Sequence, residues 1–314
     1  MKFFLKTLKK VVIWLVGTIL AIAVLAIGGL NLAKFALYGD YYSAKTNICK
    51  NPGLSDGFVC QGLGICDETG KIFVSGYMKD KTASRVYVTD EEDNSYFVEL
   101  YKNGSAFLGH AGGIAISNSS VLIASEGTVY KLKINEFLSA QNGDKIELGT
   151  GTKVNNAASF IFANDEFVYV GEFHDGENYI TNHPYSTPDG EYFAIMSRYP
   201  ASDLSTPDKI YSIRNKVQGV CFTDDSRIIL STSYGLADSI YYVYNDADAL
   251  ATDLTLDGAP VFYLNNCQKE IKGPAMAEGM DFYQGKAITL TESASDKYIF
   301  GKFFFANHIV GLEF

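Results

Sequence analysis

The sequence predicts an all-β fold, a β-propeller of five to six four-stranded blades preceded by one N-terminal transmembrane helix. Three observations carry this. One pattern recurs five times in register, the chain is rich in Tyr, Phe and Gly with a single Trp, and its start holds one long apolar run. Aromatic and glycine-rich composition suits many short strands joined by tight turns.

The apolar run comes first. Residues 11–30 read VVIWLVGTILAIAVLAIGGL, twenty residues without a charge, which is the length a helix needs to cross a bilayer core. Lys2, Lys6, Lys9 and Lys10 precede it and Lys34 alone follows closely, so the positive-inside rule puts residues 1–10 in the cytoplasm and the bulk of the chain outside. Trp14, Tyr38, Tyr41 and Tyr42 are expected to mark the interfaces. A cleaved signal peptide is the alternative, but the Ala21-Ile22-Ala23 triplet lies inside the apolar run and signal h-regions are shorter. The expected division is a basic tail (1–10), a transmembrane signal anchor (11–33), a stalk (34–55) and the propeller (56–314).

The repeat follows. Each copy is a small residue, an apolar-alternating run, a polar turn and a second apolar run: QGLGICDETGKIFVSGY (61–77), GGIAISNSSVLIASEG (112–127), ASFIFANDEFVYVGEF (158–173), QGVCFTDDSRIILSTS (218–233) and EGMDFYQGKAITLTES (278–293). With Gly62, Gly113, Ser159, Gly219 and Gly279 aligned, the second strand ends 12 or 13 positions later at Ser75, Ser125, Gly171, Ser231 and Thr291. The units repeat every 46 to 60 residues, the period of a four-stranded blade, and a blade buries both faces only between neighbours. Outer strands follow in SRVYV, YFVELY, TVYKLKI, YFAIM, SIYYVY and PVFYL. The terminal HIVGLEF (308–314) is placed to share a blade with the segment before Gln61, which closes the ring. A sixth blade would have to lie in 174–200 or 246–260. Two packed β-sandwiches are the competing fold, and they leave five copies in register unexplained.

Charge narrows the partners. All five charged residues before Gly39 are lysines, so the remainder carries 21 basic and 36 acidic groups. Nucleic acid is therefore not an expected partner, since phosphate binding needs a Lys/Arg surface. The expected partners are the membrane, through residues 11–33, and a small-molecule or protein ligand.

Propeller topology selects the candidate site. Residues before the inner strands and after the second strands converge on one rim of the central channel: Gln61, His110, Gln218 and Glu278 before, Glu126, Glu172, His174 and Glu292 after. Two carboxylates 4 Å apart repel by roughly 4 kcal/mol at an effective dielectric of 20, so a cluster of Glu126, Glu172, Glu278 and Glu292 would take up a cation or a proton. Calcium is the candidate metal, as a hard, oxygen-seeking ion; the alternatives are a cationic or sugar-like ligand, or glutamates that diverge. The four histidines form no zinc pattern, but His110 and His174 could meet at the rim as a general base. Tyr77 and Tyr234 follow equivalent hairpin ends, and the long loop 174–192 is the candidate lid or partner contact. Cys49 and Cys60 flank a Pro/Gly turn and are a disulfide candidate. Cys66 and Cys221 sit in apolar strands as packed thiols.

The strands opening with QG or EG, the hairpins ending in a small residue and the uncleaved anchor resemble the calcium-dependent six-bladed propellers of the paraoxonase, gluconolactonase and strictosidine-synthase-like group. The resemblance implies that Gln61, Gln218 and Glu278 stand where that group holds calcium, although Gly112 and Ala158 occupy the matching places in the second and third copies and no Pro-Asn-Gly occurs. Two functions follow as expectations: ligand or partner binding through the channel rim, or calcium-dependent hydrolysis of esters or lactones.

Overall fold

The computed structural model describes residues 2–298 and 306–314. Among these residues the strands form five blades around a channel. The inner strands are Phe58–Cys66, Gly113–Ser117, Phe160–Ala163, Val217–Phe222 and Ala277–Tyr283, and each pairs antiparallel with the second strand of its own hairpin.

The small residue in each copy is where neighbouring inner strands nearly touch. A Cβ on Gly62 would lie 2.5 Å from Ile114 N, one on Gly113 2.6 Å from Ile161 N, one on Gly219 2.7 Å from Glu278 O and one on Gly279 2.6 Å from Leu63 N. At these four positions the hub has no room for a side chain, while blade 3 carries Ser159 at the aligned place. In blades 1 and 4 the hydroxyl at the end of the second strand ties the blade to the next, and in blade 5 a serine shortly after that strand does so. Ser75 Oγ donates to Ala111 O at 2.8 Å, Ser231 Oγ to Glu278 O at 2.8 Å, and Ser295 Oγ joins blade 5 to blade 1 through Phe58 O at 2.7 Å. These bonds satisfy buried backbone carbonyls, which are costly to leave unpaired.

Blade 5 closes the ring with both ends of the chain. Its third strand is His308–Leu312 and its outer strand is Lys45–Lys50, paired Lys45↔Leu312 to Lys50↔His308. The propeller therefore starts near Lys45, and the stretch 34–55 is not a free stalk. Neither segment considered for a sixth blade makes one. Leu250–Leu256 and Ala259–Tyr263 form a hairpin that extends blade 3, with Ile210↔Val261 paired in parallel, and Tyr185–Thr187 with Gly190–Tyr192 makes a two-stranded flap in the loop 174–192. The strand composition was real, but an exposed blade edge captured the first hairpin.

The N-terminal helix runs Lys2–Leu37 and is long and apolar enough to cross a membrane. A second short helix, Gly39–Ala44, seats the chain between blades 4 and 5. Tyr41, 2% exposed, stacks on Tyr241 with ring centroids 6.1 Å apart, and Tyr38 donates to Asp238 Oδ1 at 2.7 Å.

The Cys49–Cys60 disulfide is not formed. Both thiols are buried and free; Cys60 Sγ instead accepts from Asn51 Nδ2 at 3.0 Å, and Cys49 lies in the outer strand of blade 5 opposite Ile309. Burial pushes the Cys49 thiol up to about 12, so it is held as an inert thiol. Cys66 and Cys221 are buried as well, and Cys267 is partly exposed.

Candidate functional site

Every inner strand starts, and every second strand ends, on the same face of the disc, so the loops of that face surround the mouth of the channel. Four blades enter the inner strand through a residue in the left-handed region: Ala111 (φ 46°), Ala158 (φ 50°), Lys216 (φ 66°) and Met276 (φ 66°). Such non-glycine conformations are uncommon, and their repetition fixes the direction in which each strand descends.

The mouth opens into a cavity of about 640 Å³. Its polar lining includes Gln61, His110, Gln218, Glu278, Glu292 and Lys297, and its aromatic walls are Tyr77, Phe173, Tyr179, Tyr234 and Tyr298. Six of the eight rim residues expected from the sequence thus face one space: Gln61, His110, Glu126, Gln218, Glu278 and Glu292.

Two glutamates of blade 5 form the floor, and each is held by a glutamine from an adjacent blade. Gln218 Nε2 of blade 4 donates to Glu278 Oε1 at 3.1 Å, and Gln61 Nε2 of blade 1 donates to Glu292 Oε2 at 2.9 Å. Glu278 is 2% exposed. Burial first, and then the Glu292 charge, raise its carboxyl well above the ordinary range. Burial pushes Glu292 up to about 7, against the opposing pull of Tyr298, Lys297 and Gln61. The pair therefore holds a proton near neutral pH. Lys297 bonds Tyr77 OH beside them and lies 5.0 Å from the Tyr298 ring centroid. The His110 ring meets Tyr77 edge-on at 4.9 Å, and burial together with Lys297 lowers its basicity.

The four-glutamate set expected to hold calcium does not assemble. Glu126 is exposed on the two-residue turn Glu126-Gly127 (φ 50° and 70°). Glu172 is buried away from the cavity, accepting from Ile195 N at 3.0 Å and bonded to His183 Nδ1 at 2.6 Å. Among the described residues no three His, Cys, Asp or Glu side chains come together as a metal site. Only Glu278 and Glu292 remain, with the Lys297 ammonium beside them, which is short of the roughly six to eight oxygen ligands calcium takes. His174 does not meet His110. It is buried, accepts from Thr181 N at 3.0 Å and stacks on Phe193.

Lys297 and Tyr298 escaped the sequence reading because they lie beyond the repeat unit, in the turn after Glu292. Tyr77, aligned with Tyr234, was the available signal, since both line the mouth.

No protein-family model and no curated protein sequence matches the chain. Among solved structures it is similar to the PQQ-bound aldose sugar dehydrogenase of Streptomyces coelicolor, at 12% identity and TM-score 0.45, covering 78% of this chain and 76% of that one. It is also similar to a gluconolactonase of Xanthomonas campestris, at 10% identity and TM-score 0.39, covering 86% and 78% of the two chains. A third is BamB of Moraxella catarrhalis, at 10% identity and TM-score 0.36, covering 82% and 83%. Likeness at this level says nothing of activity.

Proposed function

We propose that this chain is a membrane-anchored propeller that binds a small polyhydroxylated ligand, of sugar size, in the channel-mouth cavity. In this reading residues 11–33 cross the bilayer, the tail 1–10 lies in the cytoplasm and the propeller lies outside. The observation that carries the ligand class is the floor: a buried and a half-buried carboxyl, each paired with a carboxamide, beneath aromatic walls. Such a floor offers alternating donors and acceptors to hydroxyls without a fixed net charge, and aromatic faces pack against the apolar side of a sugar ring. The volume is within the usual range for small-molecule sites.

The test is thermal unfolding of the full chain in lipid nanodiscs against a panel of neutral sugars and polyols, with calcium and organic cations alongside. Binding to the folded state alone adds about 2.7 kcal/mol at a ligand concentration a hundred times Kd. A saturable rise with a polyol that is lost in Gln218→Ala supports the proposal. A rise with calcium or cations only overturns it. For the topology, an impermeant maleimide on intact cells should label Cys267, which is partly exposed while the other thiols are buried.

A further inference from the structure

We infer that the channel-mouth face of the propeller lies against the bilayer surface, so that the cavity opens onto the headgroup layer. This rests on the helix Lys2–Leu37 spanning the membrane and is independent of the ligand class.

The first ground is where the helix docks. It is exposed from Lys6 to Leu30 and becomes partly buried at Asn31, Ala33 and Lys34. Its end meets blades 4 and 5 largely toward the mouth, with Lys45 and Val310 of blade 5 in the same crevice. Asp238, which Tyr38 binds, is in the loop that enters the third strand of blade 4, and Lys34 shares a crevice with Thr291, Ala306 and His308, where the second strand of blade 5 ends and the third begins. Tyr41 then packs against Gly273, the mouth end of the outer strand of blade 4. Seven residues separate Asn31, just past the uncharged run, from Tyr38. At 1.5 Å per residue that is about 10 Å, comparable with the roughly 5–8 Å of headgroup layer on each side of the core.

The second ground is the distribution of apolar tips. Among the described residues, the large apolar side chains exposed on loops of the propeller are Leu108 (59%), Tyr179 (49%), Ile180 (74%) and Leu236 (66%), and all four lie on the mouth face, in the loops entering blade 2 and crowning blades 3 and 4. Lysines and carboxylates are both exposed on that face, Lys79, Lys81 and Lys216 beside Asp56, Asp80, Glu126 and Glu177, so charge does not distinguish it. Of the five hairpin tips on the opposite face, three carry exposed acidic pairs, Asp67-Glu68, Asp165-Glu166 and Asp224-Asp225, and none an exposed large apolar side chain. A bilayer takes up apolar tips. The docking of the helix and the apolar tips select the same face.

The test uses tryptophan as a depth reporter in the full chain carrying Trp14→Phe, which removes the native fluorophore. Ile180→Trp and Leu236→Trp are compared with Asp165→Trp and Asp224→Trp, each reconstituted in nanodiscs of ordinary or acyl-brominated phosphatidylcholine. All four positions are exposed, so folding is retained, and circular dichroism verifies it. Brominated lipid is expected to remove most of the emission at 180 and 236 and little at 165 and 224. Equal emission in the two lipids at 180 and 236, or stronger quenching at 165 and 224, overturns the inference. No ligand enters this experiment, so its failure leaves the polyol reading standing, and a failed sugar titration leaves this orientation standing.

Discussion

Gln218 donates to Glu278 at 3.1 Å across the seam between blades 4 and 5, and this bond fixes the acceptor oxygen of a carboxyl that is almost wholly buried. The carboxylates of blade 5 are thus oriented by the blades on either side of it, and the floor exists only when the ring is closed.

The buried pair should make the protein lose stability as pH rises. A carboxyl whose folded pKa is raised binds its proton more tightly when folded, so its contribution is complete below the unfolded value near 4.5 and is lost as pH passes through about 7 for Glu292. Thermal unfolding at pH 5 and pH 8 should show a lower Tm at pH 8. Glu278→Gln, which keeps an acceptor for Gln218, should flatten that difference and raise Tm at pH 8.

The Glu172–His183 contact should latch the loop 174–192 with a pH dependence of the same sense. Hydrogen bonding to Glu172 raises the His183 pKa, so its stabilisation is complete below the unfolded value of about 6.5 and disappears as pH rises through the higher folded value. Amide exchange in the loop, corrected for its intrinsic pH dependence, should be faster at pH 9 than at pH 6. His183→Ala leaves the buried Glu172 with only the Ile195 N–H, which should cost roughly 3 kcal/mol and abolish the pH difference in the loop.

Gly279→Ala should destabilise the ring severely, because its Cβ would sit 2.6 Å from Leu63 N and 2.8 Å from Gln61 O, both backbone atoms. Overpacking of this kind costs about 1–3 kcal/mol or more. Gly39→Ala is the control: nothing lies within 4 Å of its Cβ, and the helix of which it is part should be unchanged or slightly more stable. Denaturant unfolding of the two variants checks the contrast.

Seating of the N-terminal helix on the propeller should depend on Tyr41. Tyr41→Ala removes a buried ring stacked on Tyr241, with a loss of roughly 3–5 kcal/mol, whereas Tyr38→Phe removes only the bond to Asp238, about 1 kcal/mol. Denaturant unfolding should rank the two in that order, and a spin label near Lys34 should gain mobility in Tyr41→Ala.

The propeller was legible because its hub imposes the same demand five times. Gly62, Gly113, Gly219 and Gly279 are small for one steric reason, and Ser75 and Ser231 carry hydroxyls for one hydrogen-bonding reason, so the pattern survives low similarity elsewhere. The rim was legible for the same cause, since the direction of each strand fixes which residues reach the mouth. What the repeat did not encode was the partner across each seam. Glu172 has the same repeat position as Glu292, yet His183, from the adjacent loop, captures it, while Glu292 is met by Gln61. The extra hairpin of blade 3 has true strand composition, and only the availability of an edge strand decided where it paired. Cys49 and Cys60 lie close in sequence on strands that belong to different blades.

The strand Lys45–Lys50 comes just after the two N-terminal helices but finds its partner in His308–Leu312. During synthesis it emerges early and must wait unpaired until nearly all of the propeller has been made. A strand in that state is an edge that other nascent chains can pair with. Closure is therefore a late step of assembly, and a chain stopped before His308 would display an open ring.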